Sequence, residues 1–184
     1  MQHPKKSKEE NESKKTNRNG LFTSAAVKSR MTGIMDIQIR PMTIEDYDKV
    51  YELWCSIRGF GIRSIDDSRE GTAVFLRRNP TTSIVAVRGD EIVGAILCGH
   101  DGRTGNFYHV CVREDCRKQG IGKRMAVAAM HALKEERVNR VSLIAFRSNE
   151  IGNRFWKGVG WKLRDDINCY EFILNEENIT SFNQ

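Results

Sequence analysis

One stretch limits what this chain can fold into more than any other. Phe107-Tyr108-His109-Val110-Cys111-Val112 is apolar and β-prone. Arg117-Lys118-Gln119-Gly120-Ile121-Gly122-Lys123 follows, basic and carrying two glycines, and Met125 to Glu136 then reads as a helix. Strand, glycine-bearing basic loop and helix in that order build a phosphate cradle. The first turn of a helix presents backbone N–H groups with no intrahelical partner, at the positive end of the helix dipole. Glycines let the backbone approach a phosphate closely, and basic side chains add charge. A phosphorylated ligand is the expectation.

The rest of the chain is read around this unit. Ile37-Gln38-Ile39-Arg40 alternates and predicts a strand ended by Pro41, and the body starts near Asp36. Thr43 followed by Asp46 resembles a capping box, and Tyr47, Val50, Leu53, Trp54 and Ile57 recur at helical spacing, so residues 44–57 predict an amphipathic helix. Arg58 to Arg63 reads as a loop. Asp66 or Asp67 is the expected cap of a second helix running to about Arg78, and Asn79-Pro80 stops it. Ser83–Val87 and Glu91–Leu97 predict a hairpin about Gly89-Asp90 with a II′-type turn. Gly99 to Gly105 reads as a second turn before the strand that ends at Val112. After the helix come a strand over Val141–Phe146, a short helix over Asn149–Lys157, and strands at Trp161–Leu163 and Cys169–Leu174. Three consecutive strands followed by β-α-β predict a mixed α/β layer rather than a doubly wound sheet.

Charge separates two parts of the chain. The net charge of +6 is concentrated in residues 1–33, which hold eight Lys/Arg and three Glu; the remainder holds 22 Lys/Arg against 21 Asp/Glu. Residues 1–33 read as a disordered basic tail or upstream extension, residues 36–174 as one domain and residues 175–184 as a C-terminal tail. Nucleic acid is disfavoured as a partner of the nearly neutral body and is left open for the tail. No apolar run approaches the roughly 18–20 residues of a membrane span, so a membrane is excluded as a partner. The five cysteines form no Cys-x-x-Cys pair. A reduced, cytoplasmic setting fits them better than a disulfide framework or a zinc site, and no metal is expected.

Neither the GxGxxG nor the GxxxxGK[ST] fingerprint occurs in the basic run. What does occur is Arg117-x-x-Gly120-x-Gly122 between strand and helix, and here the chain resembles the GCN5-related N-acetyltransferase (GNAT) superfamily, in an uncharacterised bacterial branch. The hairpin over 83–97, the segment Asn149-x6-Trp156-x3-Gly160-Trp161 and the turn Gly99-His100-Asp101-Gly102-Arg103-Thr104-Gly105 follow the same layout. The resemblance implies an acyl-CoA N-acyltransferase fold, a mixed and mostly antiparallel sheet flanked by helices. It also implies acetyl-CoA as co-substrate and acetyl transfer to a primary amine of a small molecule, an amino acid or a protein N-terminus. By position, the backbone of Val110, Cys111 and Val112 would pair with pantetheine. The loop Arg117, Lys118, Gln119, Gly120, Ile121, Gly122 and Lys123 would hold the pyrophosphate, Asn149 and Trp156 would lie beside the cofactor, and the Val110 amide would polarise the thioester carbonyl.

The family usually places a proton-donating tyrosine in the last helix, where this chain has Trp156, whose indole N–H is no useful acid. The wall of a pocket, replacement by Tyr108, Cys111 or Tyr170, and unassisted thiolate departure stay open. Tyr108 and His109 are the candidate bases; strict alternation puts Tyr108, Val110 and Val112 on one face of the strand and His109 and Cys111 on the other. Arg58, Phe60 and Arg63, with Asp66 nearby, are the candidate acceptor contacts. A non-catalytic CoA-binding sensor is the alternative to an enzyme, and a homodimer is left open.

Overall fold

The computed structural model describes residues 37–184. The disordered basic tail or upstream extension expected over residues 1–33 therefore lies outside the described residues. A five-stranded sheet has the order β1-β3-β4-β5-β6, from β1 (Ile37–Pro41), β3 (Ile84–Arg88), β4 (Glu91–His100), β5 (Thr104–Val112) and β6 (Arg140–Leu143). Every neighbouring pair is antiparallel except β5–β6. This is the mixed, mostly antiparallel α/β sheet expected from the sequence.

Two hydrophobic clusters sandwich the sheet. On one face pack Ile121, Met125, Ala126, Ala129 and Leu133 of α3 (Ile121–Glu135), joined by Trp156 of α4 (Glu150–Gly158). On the other lie Val50, Leu53 and Trp54 of α1 (Tyr47–Ser56) and Leu76 of α2 (Arg69–Arg78). Helical spacing of apolar residues in α1 and α3 produces both stripes. A single 3-10 turn, Ile44–Asp46, leads into α1. There Asp46 accepts from the Thr43 amide at 2.9 Å and receives the Arg40 guanidinium in a fork at 2.7 Å on each oxygen.

The hairpin turn has Gly89 at φ +58, as a II′ turn requires of its first central residue. Ser68, rather than Asp66 or Asp67, caps α2: its hydroxyl accepts the Gly71 amide at 3.0 Å. Asp67 has another partner, described below.

The C-terminal part departs from the sequence expectation. Residues 161–179 form no strand, and Leu163, Tyr170, Phe172 and Leu174 are exposed. Strand formers make a ladder only where an edge accepts them. Here local bonds take precedence: the Arg164–Asp166 fork at 2.6 and 2.8 Å, and the Glu177 amide on the Asn175 side chain at 3.0 Å. The last strand is instead β7 (Thr180–Phe182), antiparallel to β2 (Gly61–Arg63) inside the stretch read as a loop. Among the described residues, no helix is long and apolar enough to cross a membrane.

Candidate active site

The parallel contact between β5 and β6 runs only from Thr104 to Phe107 on β5 and from Arg140 to Leu143 on β6. β5 continues to Val112 while β6 has ended, so the sheet opens beside residues 108–112. The other edge of β5 stays paired with β4 through Gly94↔Val112. The basic loop follows at the end of the opening. Gly120 stands at the start of α3 with φ +79, and Lys118 also has positive φ, +59. Nothing lies within 4 Å of a Cβ placed on Gly120, so its backbone conformation rather than crowding requires glycine there. At Gly122 a Cβ would stand 3.2 Å from the Phe155 ring of α4, so absence of a side chain lets the first turn of α3 sit against α4.

Lys118, Gly120 and Lys123 are exposed, Gln119 and Gly122 half-buried and Ile121 buried in the core. Gln119 donates to the Asp115 carbonyl at 3.2 Å. The approach to the loop is braced by Arg113, whose guanidinium forks onto Asp115 at 2.7 and 3.1 Å and reaches Glu91 at 3.0 Å. The Arg113 hydrogen bond holds the Asp115 carboxyl down to about 2. Arg117 turns back: its Nε donates to the Val112 carbonyl at 3.1 Å. That carbonyl is one of the groups expected to pair with pantetheine, so an extended ligand meets it already engaged.

Strict alternation fails in β5. Leu97 pairs with Tyr108 and Ala95 with Cys111, so two steps along β4 match three along β5, and His109 adopts φ +48. This is a β-bulge with a non-glycine residue in left-handed backbone, a conformation found mainly where surrounding structure enforces it. It corrects the face assignment. Val110 and Val112 pack in the cluster of α3, and Cys111 in that of α1. Tyr108, however, meets Phe75 of α2 edge-on at 5.9 Å, while His109 lies 4.8 Å from Trp54 and 4.9 Å from Phe60. The two candidate bases share the face of α1 and α2.

His109 is the most closely held of them. Its Nε2 lies 2.6 Å from Oδ1 of Asp67, whose side chain is 5 % exposed. Oδ2 of Asp67 accepts the Arg63 amide at 2.7 Å, and its backbone carbonyl accepts the Tyr47 hydroxyl at 2.9 Å. Sequence reasoning saw Asp67 only as a helix cap. Its single signal was the doublet Asp66-Asp67 ahead of α2, and nothing local announces a partner 42 residues away.

Beside Tyr108 a cleft of about 400 Å³ opens between α2 and the β4–β5 turn. Asp66, Phe75, Arg78, His100, Asp101 and Tyr108 line it. Asp101 is committed to the turn: its Oδ1 accepts the Arg103 and Thr104 amides at 2.8 Å, and the bonds to Thr104 and Arg103 hold its carboxyl below the usual range. Of the expected acceptor contacts, only Asp66 lines this cleft. Phe60 meets His109 at a tilt, 4.9 Å between ring centres, Arg63 reaches Asp66 at 3.4 Å and Glu171 at 3.6 Å, and Arg58 is exposed. Asn149 caps α4, its Oδ1 accepting the Gly152 amide at 2.9 Å, and Trp156 packs on Phe107, Phe155 and Trp161 as part of the core wall.

A family model described as acetyltransferase (GNAT) family matches residues 34–161. The chain belongs to that family. GNAT relatives include an acetyltransferase of Sodalis glossinidius, 23 % identical over 133 residues that cover 71 % of this chain and 91 % of that protein. An aminoglycoside acetyltransferase from an uncultured soil metagenomic sample, solved with sisomicin, superposes with a TM-score of 0.62 at 17 % identity, over 77 % of this chain and 98 % of that one. AAC(6')-Iy, solved with the bisubstrate analogue CoA-S-monomethyl-acetylneamine, superposes with a TM-score of 0.58 at 13 % identity, over 74 % and 98 %. At these identities the solved structures establish the GNAT fold.

Proposed function

We infer that this protein transfers an acetyl group from acetyl-CoA to a primary amine of a small molecule. The observation that carries the reading is the opened edge of β5, running into a helix start whose Gly120 frees backbone amides for a pyrophosphate. Within it, the backbone beside the opening would pair with pantetheine, the amides of residues 118–123 would hold the pyrophosphate, and the Val110 amide would stabilise the oxyanion. The CoA analogue bound by one GNAT neighbour supports the choice of donor. The cleft beside Tyr108 has the size of a small-molecule site, and the neighbour that is an aminoglycoside acetyltransferase solved with sisomicin supports an amine acceptor.

His109 is the base in this reading. Burial raises the Tyr108 phenol above its ordinary value, which keeps it protonated and makes it a poor base. Burial also pushes the Cys111 thiol up to about 12, so it is a core side chain rather than an acid, and Tyr170 is exposed. The amine nitrogen bonds to the thioester carbon while the carbonyl π pair moves to oxygen. The carbonyl then re-forms, and the C–S bond breaks. The proton lost by nitrogen is the one gained by the departing thiolate, so none is consumed overall.

The test is acetyl-CoA against purified protein, by melting temperature, followed by CoA release from a panel of primary amines that includes sisomicin, amino acids and an N-terminal peptide. A melting shift with turnover on a small amine is expected. No shift with either CoA or acetyl-CoA overturns the reading, and turnover on the peptide alone moves the acceptor to a protein N-terminus. A shift without turnover on any amine favours the sensor, which the core-wall packing of Trp156 would suit.

A further inference from the structure

Three separate elements converge on one imidazole. Asp67, ahead of α2, is fixed at both ends before His109 is considered: Arg63 of β2 holds its Oδ2 and Tyr47 of α1 holds its backbone carbonyl. Only Oδ1 remains for His109, at 2.6 Å from Nε2. Trp54 of α1 and Phe60, stacked on each other at 6.3 Å, both contact the ring, at 4.8 and 4.9 Å, and the β5 bulge holds its backbone at φ +48. Burial pushes the Tyr47 phenol up to about 12, so it stays a neutral donor.

A carboxylate only accepts hydrogen bonds, so Nε2 carries the hydrogen of this contact. In the neutral ring the lone pair then belongs to Nδ1, which has no hydrogen-bond partner among the described residues. We propose that Asp67 is a positioning residue that fixes His109 as the Nε2–H tautomer and leaves Nδ1 to take the proton from the attacking amine. The proposal rests on the acetyl-transfer reading above. The Nδ1 proton comes from the ammonium of the tetrahedral adduct and passes from the imidazolium to the thiolate as the C–S bond breaks. Asp67 keeps accepting the Nε2 hydrogen throughout and stabilises the imidazolium.

A purely structural clip joining the α1–α2 connection to β5 is the competing account. It would need neither a basic nitrogen nor a strained backbone, since a glutamine amide could donate to Asp67 as well. Other titratable or charged groups around the pair are Tyr47 of α1, itself in the field of Asp48 and Glu70, Arg63 of β2, Asp66 and the neighbouring Tyr108 of β5.

Long-range proton–nitrogen correlation spectra of the full 15N-labelled chain read the tautomer directly, without acceptor or variant. The neutral ring of His109 is expected in the Nε2–H form, and Asp67→Asn, whose amide can donate, is expected to shift it toward Nδ1–H. With the best amine of the panel, His109→Gln keeps a donor for Asp67 but lacks the base, and should lose roughly 10²-fold or more in kcat with the acetyl-CoA melting shift intact. Asp67→Asn should lose activity in the same parameter, Asp67→Glu should recover part of it, and the double variant should be little worse than His109→Gln. A wild-type ring in the Nδ1–H form, or a His109→Gln enzyme as active as wild type, overturns the proposal. Failure of acetyl-CoA to raise the wild-type melting temperature overturns the acetyl-transfer reading instead.

Discussion

In the proposed function Gly120 joins local backbone geometry to ligand binding at a single residue. Its φ of +79 is open to glycine and strained for a β-branched side chain, by about 1–3 kcal/mol. With open space around it, the strain is conformational and not a clash. Gly120→Val should therefore lower the melting temperature modestly and abolish the acetyl-CoA shift, while Gly120→Asn, which tolerates left-handed backbone, should keep part of it. Scanning fluorimetry with and without acetyl-CoA checks both; a valine variant with the full shift would remove the loop from the site. Asp46 carries a pH prediction. Burial pushes its carboxyl up, but the Arg40 hydrogen bond and the Thr43 amide outweigh this and hold it below its ordinary value. A depressed carboxyl stabilises the fold above the unfolded-state value, about 3.9, and that contribution is lost as pH falls through the lower folded value. Asp46→Asn should cost about 1–2 kcal/mol at pH 7 and progressively less as acid protonates Asp46 in the wild type, read from denaturant melts at several pH values. These two residues were legible because their signals are local: a glycine in a basic loop, and a Thr-x-x-Asp spacing. His109 was half-legible, because the alternation rule assumes a regular ladder and a bulge has no sequence mark of its own.

Among the elements, helices α1 to α4 and strands β1 and β3 to β6 could be read because apolar period, turn glycines and caps are all short-range. The β2–β7 pair could not. Each strand has three residues, neither has a β-rich run, and more than a hundred residues separate them. What holds β7 is a set of side-chain and backbone bonds on the α1–α2 connection. Asn183 Nδ2 donates to the carbonyls of Trp54 and Ile57 at 2.8 Å, its backbone N–H donates to Phe60, and its carbonyl accepts from Gly59. Asn178 Oδ1 accepts the amides of Ile65 and Asp66 at 3.0 and 3.3 Å. The terminal segment thus straps the connection that carries Phe60, Arg63 and Asp67. Removing residues 178–184 should speed amide exchange across residues 59–66 by one to two orders of magnitude, since unpaired segments open more easily. The acetyl-CoA shift should remain, because β5 and α3 make none of these bonds. Unchanged exchange in the truncated chain would show that the connection holds itself.

In the proposed function the sheet separates two tasks across the whole molecule. The opening beside β5, the Gly120 loop and the start of α3 lie at one end of the parallel contact with β6, while His109, Tyr108 and the cleft lie on the face of α1 and α2. The two meet only through β5, where Tyr108 and His109 stand next to Val110. The donor end of this layout is what the family resemblance of the basic run implies, whereas the shared face of Tyr108 and His109 is not: it needs the bulge, which turns two consecutive side chains to one face. Donor binding and proton handling should then be separable by substitution. Phe60→Ala removes a ring from His109 and Trp54 without touching the loop. It should leave the acetyl-CoA melting shift as in the wild type and lower kcat with the panel amine, since a less confined imidazole spends less time in reach of the reacting nitrogen. Gly120→Val should do the reverse, losing the shift while the His109 tautomer, read by nitrogen chemical shift, stays as in the wild type. A Phe60→Ala protein that has lost its acetyl-CoA shift would mean that the two faces are coupled through β5, and that one rigid strand serves donor and acceptor together.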